Sequence, residues 1–386
     1  MFYKQLGKIP KKRHTIFRKE DGSLYKEQVM GTKGFSGIQS ILYHHNAPTQ
    51  IEEANLLGKF NLEYEDQQAL AYRHFLTDKT NEKNEDAVEG REYMLGNDDL
   101  VIGVVYPKKG MEYFYRNADG DEVLFVHYGT GKVETMFGTL KYRPGDYIVL
   151  PIGTIYRVIP NGEDTKFLVV ETSGWITTPK RYRNEFGQLL EHSPFCERDI
   201  HGPEKLETHN EVGEFEVRTK TRGYIHQHIF NYHPLDVVGW DGYLFPYTFN
   251  IEDFEPITGR IHQPPPVHQT FEGNNFVICS FVPRLYDYHP EAIPAPYYHS
   301  NVDSDEVLYY VEGNFMSRKG INEGSITLHP SGIPHGPHPG TIEASIGKKE
   351  TLELAVMIDT FKPLKVLKEV HSTEDTSYKY SWRSNE

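Results

Sequence analysis

The chain of 386 residues carries a formal charge of −14 at pH 7, which excludes the basic face that a phosphate-backbone partner would need. Its 26 Tyr, 21 Phe, 24 Pro and 33 Gly favour strands and turns over long helices, so an all-β protein with minor helix is expected. Two cysteines, Cys196 and Cys279, are too few and too far apart for a disulfide framework or a thiolate metal site.

In chain order, residues 1–10 lack the apolar core of a signal peptide. No later stretch supplies the roughly 18 consecutive apolar residues of a membrane span, so a cytoplasmic protein without membrane association is expected. The basic run Lys11-Lys12-Arg13-His14 reads as a solvated surface segment. Residues 51–57 and 66–75 are expected to form short helices, and the charged stretch 78–92 an exposed connector. Apolar runs at 122–127, 147–150, 167–170, 276–281 and 307–311, separated by Gly, Pro, Asn and Asp, read as strands of a sandwich or barrel. His226-Gln227-His228 is expected on a strand, where alternate side chains share a face, with His233 beyond it.

An internal repeat organises these strands. Phe114-Tyr-Arg-Asn-Ala-Asp-Gly-Asp-Glu122 matches Tyr298-His-Ser-Asn-Val-Asp-Ser-Asp-Glu306, and each copy reaches a glycine, Gly129 or Gly313, seven residues after its glutamate. Further on, Gly145-Asp-Tyr-Ile-Val-Leu-Pro-Ile-Gly153 matches Gly324-Ser-Ile-Thr-Leu-His-Pro-Ser-Gly332. Two related β-domains are therefore expected, over 1–220 and 221–386.

These blocks resemble the two motifs of the cupin superfamily. The second motif, ending Pro330-Ser-Gly-Ile-Pro-His335, is complete; in the first, Ile293 replaces the opening glycine and Asn301 the second histidine. The resemblance implies a bicupin, two jelly-roll barrels in one chain. At the ligand positions the second copy holds His299, Glu306 and His335, whereas the first holds Tyr115, Glu122 and Tyr156. Two imidazoles and one carboxylate form the facial triad that binds iron(II) with open positions, although such donors also suit manganese, zinc or nickel. The second barrel is thus expected to be the catalytic one and the first a degenerate, structural one. A single histidine here would more often be structural; three ligands in one copy, with both histidines replaced together in the other, change that weighting. His338 is expected to be exposed on the loop after His335.

Pro296-Tyr-Tyr-His299, Pro334-His-Gly-Pro337, Phe281-Val-Pro-Arg284 and Gly239-Trp-Asp-Gly242 resemble the C-terminal half of homogentisate 1,2-dioxygenases, with a weaker likeness over most of the chain. The resemblance implies an Fe(II) enzyme that cleaves homogentisate with O2 to maleylacetoacetate, in tyrosine and phenylalanine breakdown. It places the catalytic histidine at His262, with His268 as rival, and makes Tyr297, His329 and Arg284 candidates for substrate contact. It also implies a trimer-based or hexameric homo-oligomer. Phe315 stands where the family carries a pocket tyrosine, and Glu312 where arginine is common, which puts the substrate in question. The alternatives are a bicupin dioxygenase for another hydroxylated aromatic acid, such as gentisate, and a metal-binding cupin without catalysis.

Overall fold

The fold is built almost entirely of antiparallel strands, and a computed structural model describes it for residues 2–66, 68–79, 85–162, 164–313, 315 and 320–383. Among the described residues the one α-helix is Thr341–Ser345, and no helix is long and apolar enough to cross a membrane.

The first barrel closes between two sheets. One orders the strands Gly138–Tyr142, Gly131–Thr135, Tyr156–Pro160, Phe114–Asn117, Val212–Thr221, Tyr224–Tyr232 and Glu53–Lys59. The other contains Tyr247–Asn250, Asp146–Leu150, Glu122–Tyr128, Lys166–Thr172, Leu100–Val105 and Glu92–Gly96 in its middle. The second barrel is built on a six-stranded sheet ordered Gln269–Gly273, Phe276–Phe281, Leu354–Thr360, Asp305–Glu312, Ile326–His329 and Arg73–Phe75. Its facing wall is thinner: Arg284–Leu285 pairs with Glu350–Thr351, and His299 bridges His335.

The two-residue period of a strand decides what each side chain meets. Along Glu122–Tyr128, Val123 and Phe125 turn outward into the shared core, while Leu124 and Val126 fill the first barrel. Along Asp305–Glu312, Val307, Tyr309 and Val311 enter that shared core, while Glu306, Leu308 and Tyr310 face a cavity inside the second barrel. The barrels therefore pack back to back, with Phe125 edge-on to Tyr309 and the Tyr147 hydroxyl 2.8 Å from Ser280 Oγ. Each buried ring of this kind removes roughly 150–250 Å² from water, about 4–6 kcal/mol at the usual area coefficient, so this seam holds the halves together.

The repeat is visible in atomic detail. Asp121 accepts hydrogen bonds from the backbone N–H of Ile152 (2.8 Å) and Ile176 (2.7 Å). Asp305 accepts from Ser331 (2.8 Å) and Leu364 (2.7 Å) in the second copy. In both copies this carboxylate staples the strand carrying the glutamate to the turn of the second motif. Gly129 and Gly313 both adopt positive φ, 92° and 105°, where a side chain would be strained.

Three expectations are corrected. Residues 53–59 form a strand rather than a helix, because they pair with Tyr224–Tyr232 at the sheet edge. Residues 73–75 likewise extend, pairing with Ile326–Leu328 across the two halves. The boundary does not fall at residue 220: Tyr224–Tyr232, Val237–Gly242 and Tyr247–Asn250 all bond to strands of the first half, and the second barrel's sheet resumes at Gln269. The expected strands at 122–127, 147–150, 167–170, 276–281 and 307–311 are present. Of the expected connector 78–92, residues 80–84 lie outside the described residues, and Glu92 already begins a strand.

Candidate metal centre

Glu306 is the second residue of the strand Asp305–Glu312 and is flanked in the sheet by two directly opposed residues, His329 on one side and Asp359 on the other. Opposed residues of an antiparallel pair share a face, so all three side chains line one row. His299 and His335 are themselves opposed: each donates its backbone N–H to the other's carbonyl, at 2.8 and 2.9 Å, and their rings lie 4.3 Å apart. One ligand atom each from His299, Glu306 and His335 lies within 4.8 Å of the others, and among the described residues this is the one such group of three. Glu306 Oε2 is 3.8 Å from His299 Nε2 and 3.4 Å from His335 Nε2.

The donors fit a divalent cation. His335 is buried, yet neither ring nitrogen makes an aligned hydrogen bond among the described residues, which is costly unless something else takes the lone pair. His299 Nδ1 stands 3.2 Å from the Tyr297 carbonyl, the contact that fixes an imidazole with Nε2 turned to a metal. Burial would raise the Glu306 carboxyl, but the three histidines around it outweigh burial and hold it well below the usual carboxylate range.

Behind the ligands stands a polar relay. His329 is fully buried; its Nδ1 is 2.7 Å from Glu306 Oε1 and its Nε2 3.0 Å from the Tyr378 hydroxyl. Sequence placed His329 in the substrate pocket, but the register puts it beside Glu306, where it steadies the carboxylate. His338, expected to be exposed, is buried: its ring stacks on Trp382 at 4.1 Å and Nε2 meets Ser381 Oγ at 2.7 Å. Trp382 also donates from Nε1 to the Gly336 carbonyl at 3.1 Å, next to the candidate ligand His335. The segment carrying Tyr378 and Trp382 was not singled out from sequence; its cluster of Tyr378, Tyr380 and Trp382 was the available signal.

The other face of the centre opens into a cavity of about 580 Å³, ordinary for a small-molecule site. Its lining includes His262, His268, Arg284, Tyr297, Phe315 and Asp359 beside His299 and Glu306. His262 is half-exposed, with Nδ1 3.3 Å from Asp287 Oδ2 and its ring 5.1 Å from that of Tyr297. His268 is buried against Phe281 at 4.6 Å and is pushed down to about 3, by burial first and then by Arg284 and His262. Arg284 is paired with Glu353 at 2.8 Å and also donates to the Val282 carbonyl. Phe315 packs edge-on to Tyr310. Among the described residues, His226, His228 and His233 join no group of three metal-capable side chains; His233 stacks on His209 at 3.8 Å.

In the first barrel the same position is filled differently. Tyr156 donates to Glu122 Oε2 at 2.6 Å, and Arg91 Nη1 reaches both Glu122, at 2.6 Å, and Glu171. Glu171 also accepts from Tyr93 and Lys220. A guanidinium lies where the other copy gathers its ligands.

Comparison with known proteins agrees with this geometry. Family models described as "Homogentisate 1,2-dioxygenase N-terminal" and "Homogentisate 1,2-dioxygenase C-terminal" match residues 36–251 and 259–386. A candidate dioxygenase of Saccharolobus solfataricus is 42% identical over 99% of both chains. Homogentisate 1,2-dioxygenase of Bradyrhizobium diazoefficiens is 27% identical over 71% of this chain and 63% of that one. The homogentisate 1,2-dioxygenase of Nitrobacter hamburgensis is likewise 27% identical, over 66% of this chain and 58% of that protein, so the match spans about three fifths of such relatives. A solved deletion mutant of Bacillus subtilis oxalate decarboxylase superposes with a TM-score of 0.36 at 14% identity, over 77% of this chain and 79% of that one, too distant to add to the argument. With both family models matched along most of its length, the chain belongs to the homogentisate 1,2-dioxygenase family, a family of dioxygenases.

Proposed function

We propose that this protein is an Fe(II)-dependent ring-cleaving dioxygenase that takes a hydroquinone carboxylic acid, homogentisate in the first instance, to maleylacetoacetate. The observation that carries the reading is the two-sidedness of the centre: His329 and Tyr378 close it from behind, while the cavity opens on the ligand side. A bound Fe(II) would supply adjacent open positions where aromatic diol and O2 meet.

The protein's own groups have separable tasks. Tyr297, Phe315 and Phe281 give the cavity aromatic walls that match a planar ring. The Asp287 carboxylate beside His262 Nδ1 orients that imidazole, leaving Nε2 to take and return the proton of a ring hydroxyl. His268, kept neutral by burial, can offer a lone pair or an N–H but no charge. Arg284 is the candidate partner for the substrate carboxylate, which would have to share it with Glu353. The reaction consumes one O2 per ring, both atoms entering the product as the bond between the hydroxyl-bearing and side-chain-bearing carbons breaks. Tyrosine and phenylalanine breakdown would be its setting, and a cytoplasmic homo-oligomer its form.

A second reading is a gentisate-like substrate, held by the same ligands with a different carboxylate anchor, since Arg284 is already paired with Glu353. The test is anaerobic loading with Fe(II), addition of homogentisate and air, and simultaneous recording of O2 uptake and product absorbance, with His299→Ala and His335→Ala in parallel. Equimolar O2 uptake and product, lost in both variants, supports the reading. Bound iron without turnover of homogentisate, but with turnover of gentisate, replaces it with the second.

A further inference from the structure

The row that carries Glu306 contains a carboxylate with no task so far. Asp359 lies directly opposite Glu306 on the strand Leu354–Thr360, so its side chain shares the cavity face with Ala355 and Met357. Its Oδ1 is sealed from solvent and has no hydrogen-bond partner among the described residues, while the residue itself lines the cavity. A buried acceptor left without a donor is expensive, of the order of 1–3 kcal/mol, and needs a reason.

The first barrel provides one. Its residue opposite the motif glutamate is Glu171, paired with Glu122 as Asp359 is paired with Glu306. There the second carboxylate is saturated by Arg91, Tyr93 and Lys220, and the Arg91 guanidinium spans both acids. The repeat thus shows that an acid at this row position is served by donors that face it from within the barrel. In the second barrel the space that the two acids face is the metal site and its cavity.

We propose that Asp359 is a positioning residue of the metal centre: its carboxylate accepts a hydrogen bond from the O–H group, water or substrate hydroxyl, that completes the metal's ligand set on the cavity side. This rests on the reading of His299, Glu306 and His335 as ligands and goes beyond it by assigning a fourth residue. It also explains why the position keeps an acid in both copies although the surrounding donors differ completely. Ligand-orienting partners of this kind change metal affinity by about 10–100-fold when removed.

The test uses Co(II) alone, whose visible spectrum reports its ligand set, in the purified chain without substrate. Affinity is measured by chelator competition for the wild type, Asp359→Asn and Asp359→Leu, with the thermal midpoint of each metal-free protein as the folding control. Asp359→Asn, which exchanges the carboxyl for an amide of the same shape, is expected to weaken Co(II) about tenfold; Asp359→Leu, which removes the acceptor, is expected to approach a hundredfold loss and to shift the visible bands. Wild-type affinity and spectrum in a folded Asp359→Asn protein overturn the assignment, whether or not the leucine variant folds. Failure of the wild type itself to hold Co(II) removes the metal reading and Asp359's role with it, so the two failures are told apart.

Discussion

Arg91 offers the sharpest test of how the first barrel survives without a metal. Its guanidinium is buried and makes hydrogen bonds to Glu122, to Glu171, to the Tyr156 hydroxyl at 3.1 Å and to the Ala87 carbonyl at 3.0 Å. Arg91→Met keeps much of the side-chain volume but strips two buried carboxylates of their shared cation. Glu171 retains Lys220 and Tyr93, so its loss is partial; Glu122 retains the Tyr156 hydroxyl and no cation among the described residues. Each hydrogen bond to a charged group contributes about 1.5–3 kcal/mol, and breaking a buried ion pair from one side costs about 3–5 kcal/mol. A loss of about 3–5 kcal/mol is expected, read from urea denaturation followed by intrinsic fluorescence and by circular dichroism. Arg91→Met with Glu122→Met should recover part of it, because the stranded charge is gone. A single-variant loss below about 1 kcal/mol, or no recovery in the double variant, would refute the view that Arg91 is a charge substitute for a cation.

Three further outcomes are expected. His268, whose imidazole is pushed down to about 3, is neutral when folded but binds a proton near pH 6.5 when unfolded; stability should therefore fall by roughly 1 kcal/mol per pH unit as pH drops from about 6 to 4. Asp or Glu titrations overlap this window, so the diagnostic is the difference: urea midpoints of His268→Asn should depend less on pH than those of the wild type. Tyr378→Phe removes the partner of His329 Nε2 and should weaken metal retention about tenfold with little change in substrate KM, as chelator competition and steady-state kinetics will show. The sheet-edge strand Glu53–Lys59 exposes Leu56 (61%) and Leu57 (48%); if copies of the chain associate through this edge, Leu56→Lys with Leu57→Lys should lower the mass found by sedimentation, and an unchanged mass in the variant would point the interface elsewhere.

Much of this architecture was legible because the motif residues carry their own geometry. Glu306 and Glu122 sit at equivalent strand starts, and the two aspartates before them staple equivalent turns, so the repeat in letters is a repeat in space. Partners drawn from outside the motifs were not legible. Helices were expected over 51–57 and 66–75, but 53–59 and 73–75 extend because strands far along the chain, at 224–232 and 326–328, pair with them. The domain boundary was misplaced for the same reason, since three strands after residue 220 return to the first half. His338 follows a proline–glycine run that reads as exposed loop, and Tyr378, Ser381 and Trp382, brought in from far along the sequence, pack against it. The charge network of Arg91, Glu171 and Lys220 was missed because these residues come from separate parts of the chain with no common spacing.

The relay from Tyr378 through His329 to Glu306 also bears on when the centre can be assembled in a cell. The ribosome makes Glu306 about seventy residues before Tyr378, which at roughly 5–20 residues per second leaves the carboxylate without its brace for several seconds at least. During that interval the strand Arg73–Phe75, made long before, must also wait for Ile326–Leu328 to join its sheet. A nascent chain stalled between residues 306 and 335 would present Glu306 without its candidate co-ligand His335. Truncations that remove Tyr378 or Trp382 are therefore expected to act on the candidate metal centre through His329 and Gly336.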